Sequence, residues 1–202
     1  MKEIGIIFGV VFLFGMIFVI PNEIKNSSNV EKYKFNYIVK KENGQNDKVI
    51  QVNNGEKISF DMDLRTKSKY TANDYNVMLN GTGLQGLGEE FKKCDERGVN
   101  SLFVVALACH ESAYGKSTLS QNKNNLFGFR AYDNNPYISA KYFSSKEECI
   151  EYVSNYIYHN YLNEDGIYFN GYTIADINVK YATDNTWANK IYNIMKQLEQ
   201  RV

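Results

Sequence analysis

The run SLFVVALACHESAYGKSTLSQNKNNLFGFRAYD, Ser101 to Asp133, decides the reading of this 202-residue chain. Its opening, Ser101 to Cys109, is apolar on every side, and a helix with no polar face belongs in the centre of a domain. Glu111 falls where that helix leaves the core. A carboxyl in low dielectric holds its proton more tightly, because desolvation penalises the charged form. A carboxylic acid still protonated near neutral pH can serve as a general acid, which is what cleavage of a glycosidic bond requires.

The residues after Glu111 extend the pattern of a site. Gly115 is expected to end the helix in the left-handed conformation. The polar run from Lys116 to Asn125 reads as a loop, and Leu126-Phe127-Gly128-Phe129 as an apolar, strand-like segment. Folded back beside the carboxylate, such a loop brings the amides of Asn124 and Asn125 within reach of sugar hydroxyl and acetamido groups. Tyr114 and Phe127 offer flat faces to a sugar ring. A second reading stands beside this one, in which the two amides only hold the loop, as Asn often does.

These motifs resemble a known family. The HES-Y-GKS run, the NNLFGF segment that follows, the AYD-NP and YF-S stretches, and the closing YATDNTWANKIYNIM are similar to those of glucosaminidase-type peptidoglycan hydrolases, bacterial endo-β-N-acetylglucosaminidases of lysozyme-like fold. The resemblance covers roughly Tyr70 to Val202. It implies that Glu111 is the catalytic acid, that Asn124, Asn125, Phe127 and Gly128 line the cleft, and that Tyr181 is the tyrosine of the YAT segment. The second carboxylate is less well matched: in many relatives a Glu lies on a hairpin after the NNLFG motif, and here the nearest candidate is the shorter Asp133.

Composition fits one globular unit with additional N-terminal sequence. Aromatic residues at 14% and only two prolines argue against disorder. Net charge is zero but unevenly placed: Met1 to Thr71 carries 11 Lys/Arg against 8 Asp/Glu, and Ala72 to Val202 carries 12 against 15. No basic stripe points to nucleic acid. Peptidoglycan glycan, a largely neutral sugar chain, is the partner that the resemblance implies, and no cofactor is implied.

Ile4 to Ile20 is uncharged over 17 residues, near the lower limit for a helix that spans a bilayer. With no small-x-small cleavage pattern after it, the segment reads as an uncleaved signal anchor to the bacterial cytoplasmic membrane, the remainder lying on the cell-wall side; secretion after cleavage is the alternative. Asn22 to Val30 reads as a tether. From Tyr33 to Leu64, YKFNYIVKK and KISFDMDL alternate apolar and polar residues around NGQND and NNGE turns, the pattern of a small β-rich spacer. The expected organisation is an anchor over residues 1–21, tether and spacer over 22–69, and a catalytic domain over 70–202.

Beyond Thr71 the pattern is helical. Thr71 or Asn73 caps a helix through Leu79, and a second runs from Glu89 to Arg97, stopped by Gly98. Ser145 to Glu148 forms a capping box, followed by Ile150, Val153, Ile157 and Tyr161 at helical spacing. Thr173 to Asp176 opens another helix in the same way, so Glu148 and Asp176 read as caps rather than catalysts. Asp184 or Asn185 starts the last helix, whose buried stripe is Trp187, Ile191, Ile194 and Leu198. The expected fold is mainly α: a lysozyme-like helical lobe, with a small β lobe after Phe127 carrying Asp133 to Ala140 and a cleft between the two.

Other chemistries fail on spacing. His110-Glu111 lacks the second His that a zinc-protease helix places four residues after the first, position 114 being Tyr, so no metal site is indicated. His159 reads as a surface histidine. Cys94, Cys109 and Cys149 show no pairing pattern, although an oxidising compartment would allow Cys94 and Cys149 to join. Three functions remain open: the glucosaminidase; a muramidase or lytic transglycosylase cutting the other linkage with the same acid; and an inactive, membrane-tethered scaffold that binds peptidoglycan. The mechanism is open as well, between a second carboxylate at Asp133 and attack by the substrate's own 2-acetamido group with Tyr181 orienting it.

Overall fold

The computed structural model describes residues 58–131 and 136–202, and the segments read as anchor and tether, most of the alternating run, and Asp133 lie outside the described residues. Among the described residues no helix is long and apolar enough to cross a membrane. The order is α1 (Ala72–Met78), α2 (Gly88–Lys92) continued by a 3₁₀ turn (Lys93–Asp95), α3 (Ser101–Ser112), α4 (Thr118–Lys123), α5 (Pro136–Ser139), α6 (Lys146–Ile157) continued by a π turn (Tyr158–Leu162), α7 (Ile174–Tyr181) and α8 (Trp187–Glu199).

Helix α3 is the axle. Every residue from Ser101 to Cys109 is buried, so the helix has no solvent face and must be wrapped by others. It packs along α8 and on α2, while α1 and α6 pack on α2 and α7 packs on α8. Phe91, Phe103, Leu107, Ile150 and Ile191 are fully enclosed around it. Each such side chain contributes about 1.5–3 kcal/mol through loss of contact with water. The short-range helix signals operate as expected. Thr71 with Asp74, and Thr173 with Asp176, form reciprocal capping boxes. At α6 the Ser145 hydroxyl accepts from the Glu148 N–H, while the Glu148 carboxylate reaches Ser144 instead of completing the box.

Several expectations are corrected. No strand occurs among the described residues. Ile58 to Leu64 forms turns and joins the domain core, anchored where Leu64 N–H donates to Tyr172 O at 2.9 Å and Leu64 O accepts from Asn100 N–H at 2.6 Å. Leu126 to Phe129 is a buried turn, because Gly128 adopts φ +60° and breaks any extended run. In place of the β lobe, Pro136–Ser139 is a helical turn, and the polar run after Lys116 folds into α4, capped by the Ser117 hydroxyl. The last helix starts one or two residues later than expected, after Thr186, and Met195 replaces Ile194 in its buried stripe. Cys94, Cys109 and Cys149 are buried free thiols, so Cys94 and Cys149 are not joined.

Candidate active site

The end of α3 sets the geometry. Gly115 does not terminate the helix alone: Ala113 (φ 51°), Tyr114 (57°) and Gly115 (77°) are successively left-handed. Two non-glycine residues there cost about 1–2 kcal/mol each, a strain that surrounding contacts must hold. Those contacts are present. The Ser112 hydroxyl donates to Ala108 O and accepts from Gly115 N–H, and Ser112 O accepts from the N–H groups of Lys116 and Ser117. Gly115 also lies backbone to backbone against Gly83, where a Cβ on either would approach the other's carbonyl to under 3 Å. Gly83 N–H donates to Tyr114 O at 2.9 Å. The chain thus turns sharply away directly after Glu111.

Glu111 sits in the last turn of α3, half-buried. Its carboxyl pKa is pushed up from 4.5 to about 7 by burial, against the opposing pull of one donor, the Trp187 indole N–H. That donor lies 3.3 Å from Glu111 Oε1. Trp187 is 3% exposed, a core residue as expected, and its contact with the acid is one that sequence reasoning missed. Its ring packs on Tyr181 with centroids 4.8 Å apart.

Tyr181, the last residue of α7, is enclosed. Burial and then the charge of Glu111 raise its phenol well above the ordinary value, so it is neutral at physiological pH. Tyr161, set by the π turn, stands 5.7 Å from Tyr181, and Tyr168 stands 5.1 Å from Tyr161. Beside Glu111, the His110 pKa is lowered by burial and by Lys190, partly offset by Asp184.

The turn between α7 and α8 is held by groups that sequence reasoning passed over. Asn178 donates to the carbonyls of Ala182 and Asp184, and accepts from Ala188 N–H at 3.1 Å. The Asp184 carboxylate accepts from the Thr186 N–H and hydroxyl and from Lys190. These bonds fix the first turn of α8, and so the place of Trp187.

The amides of the NNLFG segment are used within the protein. Asn125 is 1% exposed; its NH₂ donates to Phe129 O and Lys141 O at 3.0 and 2.9 Å, and its oxygen accepts from Phe129 N–H at 2.9 Å. Asn124, left-handed at the end of α4, donates to Phe143 O at 3.0 Å. Phe127 is buried, whereas Gly128 and Tyr114 are half-buried. The pair therefore ties residues 124–129 to residues 141–143, which is the loop-holding reading. Glu148 and His159 lie away from Glu111, in a groove of about 490 Å³ along the outer face of α6. Among the described residues no cluster of His, Cys, Asp or Glu is arranged to hold a metal ion.

The end of this core helix thus sets one carboxyl beside an aromatic wall from the last two helices. Residues 90–200 match the Glucosaminidase family, described as mannosyl-glycoprotein endo-beta-N-acetylglucosaminidase, and the chain belongs to that family. It is 32% identical over 146 residues to a putative endo-beta-N-acetylglucosaminidase of Streptococcus pneumoniae TIGR4, an alignment covering 69% of this chain and 22% of the relative. The chain thus spans about a fifth of that protein's length. Two crystal structures of S. aureus autolysin E share the fold. One, in complex with the muropeptide NAM-L-Ala-D-iGlu, has a TM-score of 0.58 at 24% identity, over 81% of this chain and 84% of that one. The other, a catalytic mutant with a glutamate replaced by alanine, in complex with the disaccharide NAG-NAM, has a TM-score of 0.52 at 23% identity, over 71% and 74%.

Proposed function

We propose that this protein hydrolyses bacterial cell-wall glycan at the β-1,4 bond after N-acetylglucosamine, with Glu111 as general acid. The observation that carries the reading is Glu111 itself. A carboxyl with a pKa near 7, at the open end of an otherwise enclosed helix, is half protonated at neutral pH and poised to donate. Membership of the glucosaminidase family supplies the substrate class. The complexes of autolysin E with NAG-NAM and with a muropeptide support a glycan of alternating N-acetylated sugars.

In this mechanism Glu111 gives its proton to the glycosidic oxygen while the ring carbon gains oxocarbenium character. The second function falls to the substrate's 2-acetamido group or to a carboxylate at Asp133, while Tyr181, enclosed against Trp187, backs the acid rather than meeting sugar. Tyr114 and Gly128, both partly accessible, are the better placed of the cleft candidates to meet sugar. Asn124, Asn125 and Phe127 act indirectly, by holding the wall that the sugar meets.

The test is mass spectrometry of borohydride-reduced peptidoglycan digested by the full chain, with Glu111→Gln in parallel. Reduced N-acetylglucosamine ends, lost by about 10²–10⁴-fold in a variant that still folds, are expected. Reduced or anhydro-muramic ends would overturn the bond assignment, and an active Glu111→Gln would overturn the acid.

A further inference from the structure

Trp187 is the only tryptophan in the chain. Its indole N–H is a donor and never an acceptor. It occupies the first position of α8, buried, packed against Tyr181, on a turn pinned by Asn178 and Asp184. A side chain so held cannot swing to follow a partner, so the partner must be arranged around it.

We propose that Trp187 is a positioning residue for the acid: its N–H fixes Oε1 of Glu111 as the accepting oxygen, leaving Oε2 to carry and deliver the proton. The inference rests on the reading of Glu111 as general acid. A neutral carboxyl has one carbonyl oxygen and one hydroxyl oxygen, and the carbonyl oxygen is the better acceptor. A fixed donor aimed at Oε1 therefore selects the form with hydrogen on Oε2. When the acid acts, the Oε2–H bond breaks and a new O–H bond forms on the glycosidic oxygen. The electron pair of the breaking C–O bond passes to that oxygen, and Glu111 is left as a carboxylate. The indole bond, long at 3.3 Å, is then charge-assisted, and such bonds are shorter and stronger. Its gain comes as charge develops, which is where an interaction aids rate rather than mere binding.

The pH consequence follows from the groups around the acid. Tyr181 faces Glu111 from α7 and stays neutral across the working range. His110 neighbours it on α3, with Lys190 and Asp184 acting on His110 from α8 and the turn before it. A donor to the charged form lowers a carboxyl pKa, so removing the indole N–H raises it. In Trp187→Phe the alkaline limb of the kcat/KM profile moves to higher pH, and kcat falls about three- to tenfold.

Trp187→Phe alters a core position, so the deciding measurement uses the unaltered residue. A ¹⁵N-labelled full chain gives one indole N–H cross-peak, which is followed from pH 5 to 9. The expected result is a single titration with a midpoint near 7 that is absent in Glu111→Gln. A peak that stays still in the unaltered protein, or that titrates equally in Glu111→Gln, overturns the inference. The two readings fail separately. An inactive Glu111→Gln with a pH-independent indole peak removes Trp187 and keeps the acid, whereas an active Glu111→Gln removes the general acid whatever the indole does.

Discussion

Two carboxylates stand at the two ends of α3, and the protein treats them oppositely. Asp95, 4% exposed, lies at the start. Its oxygens accept from Ser68 N–H at 3.0 Å, Ser101 N–H at 2.8 Å, the Ser101 hydroxyl at 2.9 Å and Lys92 Nζ at 2.8 Å. It also faces the helix N-terminus, where the peptide dipoles favour an anion. Glu111 lies at the C-terminal end, where the same dipoles disfavour one, and among the described residues it accepts one long bond, from Trp187. The first arrangement satisfies a charge completely and makes it structural. The second leaves a charge poorly supported, and so favours the protonated carboxyl.

Removing Asp95 should give the largest stability effect. Asp95→Ala leaves the buried Ser101 N–H without its acceptor and removes the carboxylate from the Ser101 hydroxyl and Lys92, which keep Tyr75 Oη and Ser68 O respectively, a loss of about 3–5 kcal/mol. For a chain of this size that lowers Tm by roughly 10 °C. Activity per folded molecule should be unchanged. Thermal unfolding beside a glycan-release assay checks this, and lost activity at unchanged Tm would break the contrast between the two ends.

Glu111→Gln should do the reverse, on a smaller scale. Below pH 4.5 the carboxyl is protonated in both folded and unfolded chains. Between 4.5 and about 7 the unfolded chain releases the proton while the folded chain keeps it, so stability falls as pH rises and levels off above 7. Glutamine carries no such penalty. The unfolding free energy of Glu111→Gln relative to that of the unaltered protein should therefore grow between pH 5 and pH 8, by on the order of 2 kcal/mol, and the gap between their Tm values should widen with it. A gap that is constant with pH would mean that Glu111 is as well supported as Asp95.

What was legible in the sequence divides along similar lines. Local signals carried through: the all-apolar run of α3, the Thr71 and Thr173 capping boxes and the Ser145 cap depend on neighbours within a few residues, whereas the helix expected to reach Arg97 already ends in a 3₁₀ turn at Asp95. The place of Glu111 was legible, because a lone carboxylate ends that apolar run, and it stands in the last turn of α3. The strand readings failed because the alternation at Ile58 to Leu64 and the apolar run Leu126 to Phe129 reflect burial on turns, not pairing in a sheet. At the second of these the Asn125 amide, joined to four backbone groups, supplies bonds that a neighbouring strand would otherwise give. The α4 helix carried a signal in the serine three residues before Ser120, overlooked within a polar run. Two features had no local signal: the approach of Gly83 to Gly115, and the indole bond to Glu111 across 76 residues. Both join segments distant in the chain, and spacing along a sequence does not report such meetings.

The smallest expected effect sharpens the contrast most finely. Lys92 supplies one of the donors to Asp95, yet its side chain is 36% exposed while the Asp95 side chain is 2% exposed. A half-solvated ammonium is screened and loses side-chain entropy when held, so its pairing is worth little beside the enclosed N–H and hydroxyl donors. Lys92→Met should cost less than about 1 kcal/mol, vary weakly with salt and leave activity unchanged. Denaturant titrations at low and high ionic strength would show it. A loss as large as that of Asp95→Ala would mean that the start of α3 is held by an ion pair. The expected small loss would mean that Asp95 is held by the helix terminus and the Ser101 hydroxyl, neutral donors that, among the described residues, Glu111 has only in the Trp187 indole.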